Sequence, residues 1–328
     1  MKLPSMAAAI VSISIVALLS GVAVGQNSLV YVSFLTGLKS GGTNIYQISQ
    51  GGAQLVGTLD VGGGGPVAVD AQQNAYVIPA DWDSGLYQLT TNVYRYAPGS
   101  TQGTQLFKVD NLGAAAMTIG TDGTVYVAGS VPESDTYVVA KFTPPAYTQQ
   151  TLSISQNPRY PTGISVDASG NLFVGWMDSF KNIPIDKCGT GCITELPAGQ
   201  SKWVTRLQDL AANAMAAGPF VTSDGSLIFW TGGDGRFNYI ETVPSGKTYP
   251  SSLAQLPPTP FGGKNISLAY NASGKQLWET GVGFAGPLGT NVYGINYPSG
   301  HTAISFPVDS PSNLIFITGI GVSPANFP

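Results

Sequence analysis

Pro161-Thr-Gly-Ile-Ser-Val-Asp-Ala-Ser-Gly-Asn-Leu-Phe-Val174 is the stretch that decides the fold. Ile164 and Val166 alternate with polar neighbours, as a strand packed on one face requires. Asp167 to Asn171 supplies the turn formers, and Leu172-Phe-Val174 is a returning strand. The unit recurs along the chain. Val67-Ala-Val-Asp70 precedes Asn74-Ala-Tyr-Val77, and Met117-Thr-Ile119 precedes Asp122-Gly-Thr-Val-Tyr-Val127. Phe220-Val-Thr222 precedes Asp224-Gly-Ser-Leu-Ile-Phe229, and Ser267-Leu-Ala-Tyr270 precedes Leu277-Trp278. Aligned on the residue after the first strand, the copies stand at positions 70, 120, 167, 222 and 271. A period near fifty is the mark of a ring of repeats.

A second signature interleaves with the first. Thr-Asn-[Ile/Val]-Tyr occurs at 43–46, 91–94 and 290–293, and Val138-Val139, Cys192-Ile193 and Tyr239-Ile240 stand in its place in the other copies. A Gly- or Pro-containing turn follows, then a fourth strand such as Gln105-Leu-Phe-Lys-Val109. Four short strands per unit predict propeller blades. The terminal copies are incomplete in complementary ways. Gly319-Ile-Gly-Val-Ser-Pro324 reads as a first strand without its partner, and Asn27-Ser-Leu-Val-Tyr-Val32 as a second strand without its first. The expectation is an all-β, six-bladed β-propeller with four-stranded antiparallel blades, closed by a blade shared between the N- and C-terminal segments. That closure removes two open sheet edges. A kelch-type ring has a similar period, but its regular Gly-Gly and paired aromatic pattern is not seen.

The 161–174 copy resembles an NHL-type repeat, and the degenerate copies resemble the wider group that includes senescence-marker-type gluconolactonases and streptogramin lyases. The resemblance spans residues 26–328 and lies in blade residues, so what it implies is the fold. A lactonase of the gluconolactonase type would imply a calcium ion held by carboxylates and amides. A streptogramin-type lyase would need a positioned histidine, and amidating lyases of this fold need several. The single histidine here, His301, lies in the turn Pro298-Ser-Gly-His301. The same shortage argues against a serine or cysteine triad, which needs a histidine base.

Composition agrees with an exported all-β chain. Of 328 residues, 43% are hydrophobic and only 10% charged, and Gly (42) and Pro (23) are abundant. Soluble domains average about 25% charged. The net charge of −4 and fourteen scattered Lys and Arg exclude nucleic acid as a partner, because phosphate binding needs a concentrated basic surface. Lys2, the apolar run Met6–Leu19 and Ala23-Val-Gly25 predict a signal peptide over 1–25, cleaved before Gln26. The alternative is an uncleaved anchor. With cleavage, the protein is secreted or periplasmic, with no transmembrane span in its mature part. Cys188 and Cys192 are the two cysteines, and in an exported chain they are expected to form a local disulfide.

In a propeller the connections after strands two and four share one face. Here those connections are the long ones, roughly 33–42, 80–91, 129–136, 175–191, 231–238 and 280–290, while the tight Asp-Gly, Ser-Gly and Pro-Gly turns share the other face. Long loops are where binding and catalysis concentrate. The long connections carry Asp81, Asp83, Glu133, Asp135, Asp178, Asp186 and Asp234, with Trp82, Trp176, Phe180, Arg236, Phe237 and Phe284; Trp230 and Trp278 lie at adjoining strand ends. Trp82, Trp176, Asp178, Asp234 and Arg236 are the candidate ligand-binding residues, with the Trp rings packing between blades as the alternative. Asp81, Asp83, Asp178 and Asp234 are candidate Ca²⁺ ligands. Asp81-Trp-Asp-Ser-Gly85 resembles the start of a calcium loop but has Asn at 92 where a bidentate Glu belongs. Asp70, Asp167 and Asn271 share one repeat position, where a polar residue is expected to cap a turn. The leading expectation is a non-catalytic scaffold that offers the loop face to a small molecule, a glycan or an envelope protein. The alternative is a Ca²⁺-dependent lactonase or hydrolase using the acidic loops.

Overall fold

The computed structural model describes residues 28–36, 41–49, 52–62, 64–79, 90–132, 134, 136–152, 154, 160–177, 191–207, 215–222, 224–232, 238–245, 247, 250–256, 268–271, 276–280, 291–297, 299–309 and 316–323. Alternating apolar and polar residues broken by turn formers give twenty-four strands there, in six four-stranded antiparallel sheets. The first blade orders β24 (Phe316–Ser323), β1 (Ser28–Leu35), β2 (Gly41–Ser49) and β3 (Gly52–Thr58) from the centre outward. Blade 2 is β4 (Val67–Val69), β5 (Ala75–Val77), β6 (Thr90–Tyr96) and β7 (Gly103–Asp110). Blade 3 is β8 (Gly113–Ile119), β9 (Val125–Ser130), β10 (Tyr137–Thr143) and β11 (Thr148–Leu152). Blade 4 is β12 (Tyr160–Val166), β13 (Leu172–Met177), β14 (Gly191–Leu196) and β15 (Val204–Leu207). Blade 5 is β16 (Met215–Val221), β17 (Leu227–Gly232), β18 (Asn238–Val243) and β19 (Ser251–Leu256). Blade 6 is β20 (Leu268–Asn271), β21 (Gln276–Thr280), β22 (Asn291–Asn296) and β23 (Thr302–Pro307).

The ring closes through the shared blade. β24 pairs antiparallel with β1, setting Leu29 opposite Ser323, Val30 opposite Val322 and Val32 opposite Ile320. The hydroxyl of Ser323 also donates to Gln73 Oε1 at 2.9 Å, which ties the closing strand to the first turn of blade 2. Inner strands approach so closely that only glycine fits at some positions. A Cβ on Gly319 of β24 would lie 2.5 Å from the Gly65 carbonyl oxygen, and one on Gly163 of β12 would lie 2.3 Å from the Gly218 nitrogen.

Because each blade stands radially, both its faces pack against neighbours and the core lies between blades. Val30, Tyr46, Trp278 and Ile320 join blades 6 and 1, while Ile228, Trp230, Leu268 and Leu277 join blades 5 and 6. Val139, Ile164, Val174 and Trp176 join blades 3 and 4. The two faces of the ring separate as the sequence predicts. Short turns such as 70–74, 120–124 and 167–171 follow first strands on one face, and the second strands end towards the other.

Candidate functional site

At the axis of the ring the described inner strands leave a small cavity. Inner strands from all six blades enclose a cavity of about 100 Å³, lined by residues such as Val67, Met117, Ile164, Phe220, Leu268 and Ile320. Ligand pockets are usually about 300–1,000 Å³. Among the described residues no charged side chain lines the cavity, and the buried hydroxyl of Ser165 on its wall has no hydrogen-bond partner.

The short-turn face has its acids fully engaged. Asp70 accepts from the Asn74 backbone N–H and side-chain amide, each at 2.8 Å, and from the Tyr76 hydroxyl at 3.1 Å. Asp167 accepts from the Ser169 N–H at 2.9 Å and from both the backbone and side-chain N–H of Asn171 at 2.8 Å. In two copies the acid moves two residues along and does the same work. Asp122 accepts from the N–H and hydroxyl of Thr124, and Asp224 from the Thr222 hydroxyl and the Ser226 N–H. Those bonds hold the Asp224 carboxyl below its usual range, the Thr222 bond contributing most. The expected turn-capping role is thus seen at Asp70 and Asp167, while the side chain of Asn271 lies outside the described set. Buried tyrosines carry the reverse shift. Desolvation first, then the negative charge of Asp70, pushes Tyr76 up to about 12.

Most of the sequence-derived ligand set lies outside the described residues: Asp81, Trp82, Asp83, Asp178, Asp234 and Arg236, and also Cys188. Trp176 is described, and its placement differs from the expectation of a loop. β13 runs on to Met177, so Trp176 is a strand residue paired with Cys192 of β14. Its ring is 4% exposed and its indole N–H donates to the Thr194 hydroxyl at 2.8 Å. That placement supports inter-blade packing, as for Trp230 and Trp278, which are also buried in strands. Strand β13 continues past Gly175, where the sequence suggested an ending. Cys192 is buried in β14, and no cysteine among the described residues is free. His301 is exposed in the turn between β22 and β23, on the short-turn face, as expected. No group of three His, Cys, Asp or Glu among the described residues could hold a metal ion.

Sequence reasoning missed a set of latches between neighbouring blades. Each ties the end of a fourth strand to the next blade. The Asp309 N–H donates to the Tyr46 hydroxyl at 2.7 Å, and the Asn44 amide donates to the Asp309 carbonyl at 2.7 Å. The Tyr96 hydroxyl donates to Asp60 Oδ1 at 2.9 Å, and the Asp60 N–H donates to the Thr101 carbonyl at 2.9 Å. The Asp110 N–H donates to Gln149 Oε1 at 2.9 Å, while Gln149 Nε2 returns a bond to the Asp110 carbonyl at 3.1 Å. A signal was present: Leu59-Asp60, Val109-Asp110 and Val308-Asp309 repeat an aliphatic–Asp step at or just past the end of the fourth strand, and Asn44 and Tyr46 belong to the Thr-Asn-x-Tyr signature.

No family model matches the chain, and no curated protein matches it in sequence. Solved structures do match in fold. TolB from Acinetobacter baumannii superposes with a TM-score of 0.61 at 10% identity, covering 90% of this chain and 66% of that one. A candidate 6-phosphogluconolactonase from Bacteroides fragilis NCTC 9343 superposes with a TM-score of 0.55 at 7% identity, covering 90% of this chain and 98% of that one. The present chain thus spans about two thirds of TolB and nearly all of the second protein. At such identities the likeness is one of fold.

Proposed function

We propose that the protein is an exported binding scaffold that presents its long-loop face to a small molecule, a glycan or an envelope protein. The carrying observation is the division between faces. On the short-turn face the carboxylates of Asp70, Asp122, Asp167 and Asp224 are each occupied by turn donors, so they are tied up in structure. The remaining candidate acids and aromatics sit in the long connections, where Trp82, Asp178, Asp234 and Arg236 are the proposed ligand contacts. Export rests on the proposed signal peptide over 1–25, which leaves 26–328 as the propeller. In that setting Cys188 and Cys192 form the proposed disulfide, and alkylation without reductant should add no mass.

The second reading is a Ca²⁺-dependent lactonase or hydrolase that uses Asp81, Asp83, Asp178 and Asp234. It draws on the fold likeness to a candidate 6-phosphogluconolactonase. Melting curves separate the two. Native-only binding at 100 times Kd stabilises by about 2.7 kcal/mol. The scaffold reading expects a rise in melting temperature with a soluble oligosaccharide, lost in Trp82→Ala and indifferent to calcium. A calcium-induced rise lost in Asp178→Ala, together with lactone hydrolysis, would overturn it in favour of the enzyme.

A further inference from the structure

We propose that the outer edge of blade 3, strand β11, is a self-association surface that pairs two copies of this chain about a two-fold axis. Among the described residues each blade ends in an outermost strand with one unpaired edge, and an unpaired edge invites another strand. Five of the six described outer strands break that edge with a bulge at one common place. One residue is skipped in each register: Val56 in β3, Leu106 in β7, Arg206 in β15, Leu253 in β19 and Ala303 in β23. A bulge twists the strand and spoils continuous pairing. Charge and proline add to this, with Lys108 and Asp110 in β7, Arg206 in β15 and Pro307 ending β23. Even the far end of β7 is closed, because the side-chain amide of Gln149 occupies the N–H and carbonyl of Asp110.

β11 alone has none of these devices. It pairs with β10 in unbroken register from Thr148 opposite Thr143 to Leu152 opposite Val139. Its sequence, Thr148-Gln-Gln-Thr-Leu152, has no charge and no proline, and Thr148, Gln150 and Thr151 are exposed. A two-fold pairing sets each residue of a strand against a residue of the same strand, so any net charge on it meets its like. Arg206 would do so in β15. Antiparallel pairing of β11 about Gln150 sets Thr148 against Leu152, Gln149 against Thr151 and Gln150 against its own copy, with no like charges opposed. The occupant that fits is therefore a second copy, and five residues of pairing make a weak, concentration-dependent dimer.

Charge exchange at Gln150 tests this. Sedimentation velocity of the full chain should show a dimer that grows with concentration. Gln150→Lys and Gln150→Glu should each lose it, with unchanged melting temperatures, because each sets like charges across the axis. An equimolar mixture of the two should recover it. A wild-type chain that stays monomeric throughout, which would leave the edge to some other peptide, overturns the proposal. So does a dimer that persists in the single variants, or a mixture that stays monomeric.

Discussion

Blade 4 and the shared blade have the same four-strand order but are held together differently. In blade 4 the inner strand β12 leads into β13 through the turn 167–171, fixed by the Asp167 carboxylate and covalently continuous. In the shared blade the inner strand β24 and its neighbour β1 come from opposite ends of the chain, about 300 residues apart, and only pairing and packing join them. Ile317, Ile320 and Val322 of β24 are buried within the cluster that also holds Val30, Val32 and Trp278. A hairpin closes locally, whereas this contact closes a loop made of the whole intervening ring. The shared blade is thus where the fold depends most on non-covalent terms.

The largest effect should come from removing the closing strand. Deleting Gly319–Pro328 strips Ile320 and Val322 from the core, and burying two aliphatic side chains stabilises by about 3–6 kcal/mol. Against a typical total of about 5–15 kcal/mol, the deleted chain should be nearly unfolded or aggregate through the bared edge of β1. Circular dichroism melting and light scattering check this. A melting point within a degree or two of the full chain would remove the distinction between the two blades.

Single substitutions sharpen the comparison. Gly319→Val in β24 and Gly163→Val in β12 both push a side chain into neighbouring backbone. Overpacking of this kind costs about 1–3 kcal/mol, read as a lower urea midpoint in both variants. If the closing strand is held by packing alone, Gly319→Val should also speed proteolysis of β24, while Gly163→Val leaves that segment protected. Next come the turn caps. Asp70→Ala should cost more than Asp167→Ala, about 2 against about 1 kcal/mol. Asp70 is buried and its loss strands the Tyr76 hydroxyl, whereas Asp167 is part-exposed. Equal losses in urea titration would count against the burial argument.

The smallest effect is alkaline. Tyr76 is raised to about 12 in the folded chain, mainly by burial, against about 10 when unfolded. Its contribution is complete below pH 10 and is lost as pH rises from there towards 12, because the unfolded chain ionises first. Tyr76→Phe should flatten the fall in stability over that window, measured by urea midpoints at stepped pH. An unchanged slope would mean that the tyrosine does not carry it.

The sequence made the ring legible because the repeat is written in residues whose roles are local. Ile164, Val166 and Asp167 announce a strand and a capped turn without help from the rest of the chain. Even the closure could be read, since Ile320 and Val322 keep the two-residue period in a segment with no partner nearby. The latches were harder. Tyr96 meets Asp60, and Gln149 meets Asp110, across a blade boundary set by the twist of two sheets, which no local pattern encodes. Trp176 was misplaced for a related reason: a Trp beside Gly175 and before a long connection looks like a loop aromatic, yet the pairing of β13 with β14 carries it into the core. The candidate ligand residues in the long connections rest on composition and face alone, and the capped acids of the opposite face show how differently one residue type can be used.

The central claim is that β24 closes the ring beside β1 in the register that opposes Val30 and Val322. Facing residues in an antiparallel pair lie about 4.5–5.5 Å apart at Cα, within the 4.4–6.8 Å that a disulfide spans. A chain carrying Val30→Cys and Val322→Cys, oxidised and mapped by mass spectrometry without reductant, should yield a linked pair of peptides holding positions 30 and 322. The offset control, Val30→Cys with Ile320→Cys, should not link. Linkage in the control but not in the facing pair, or in neither, would contradict the closure described here.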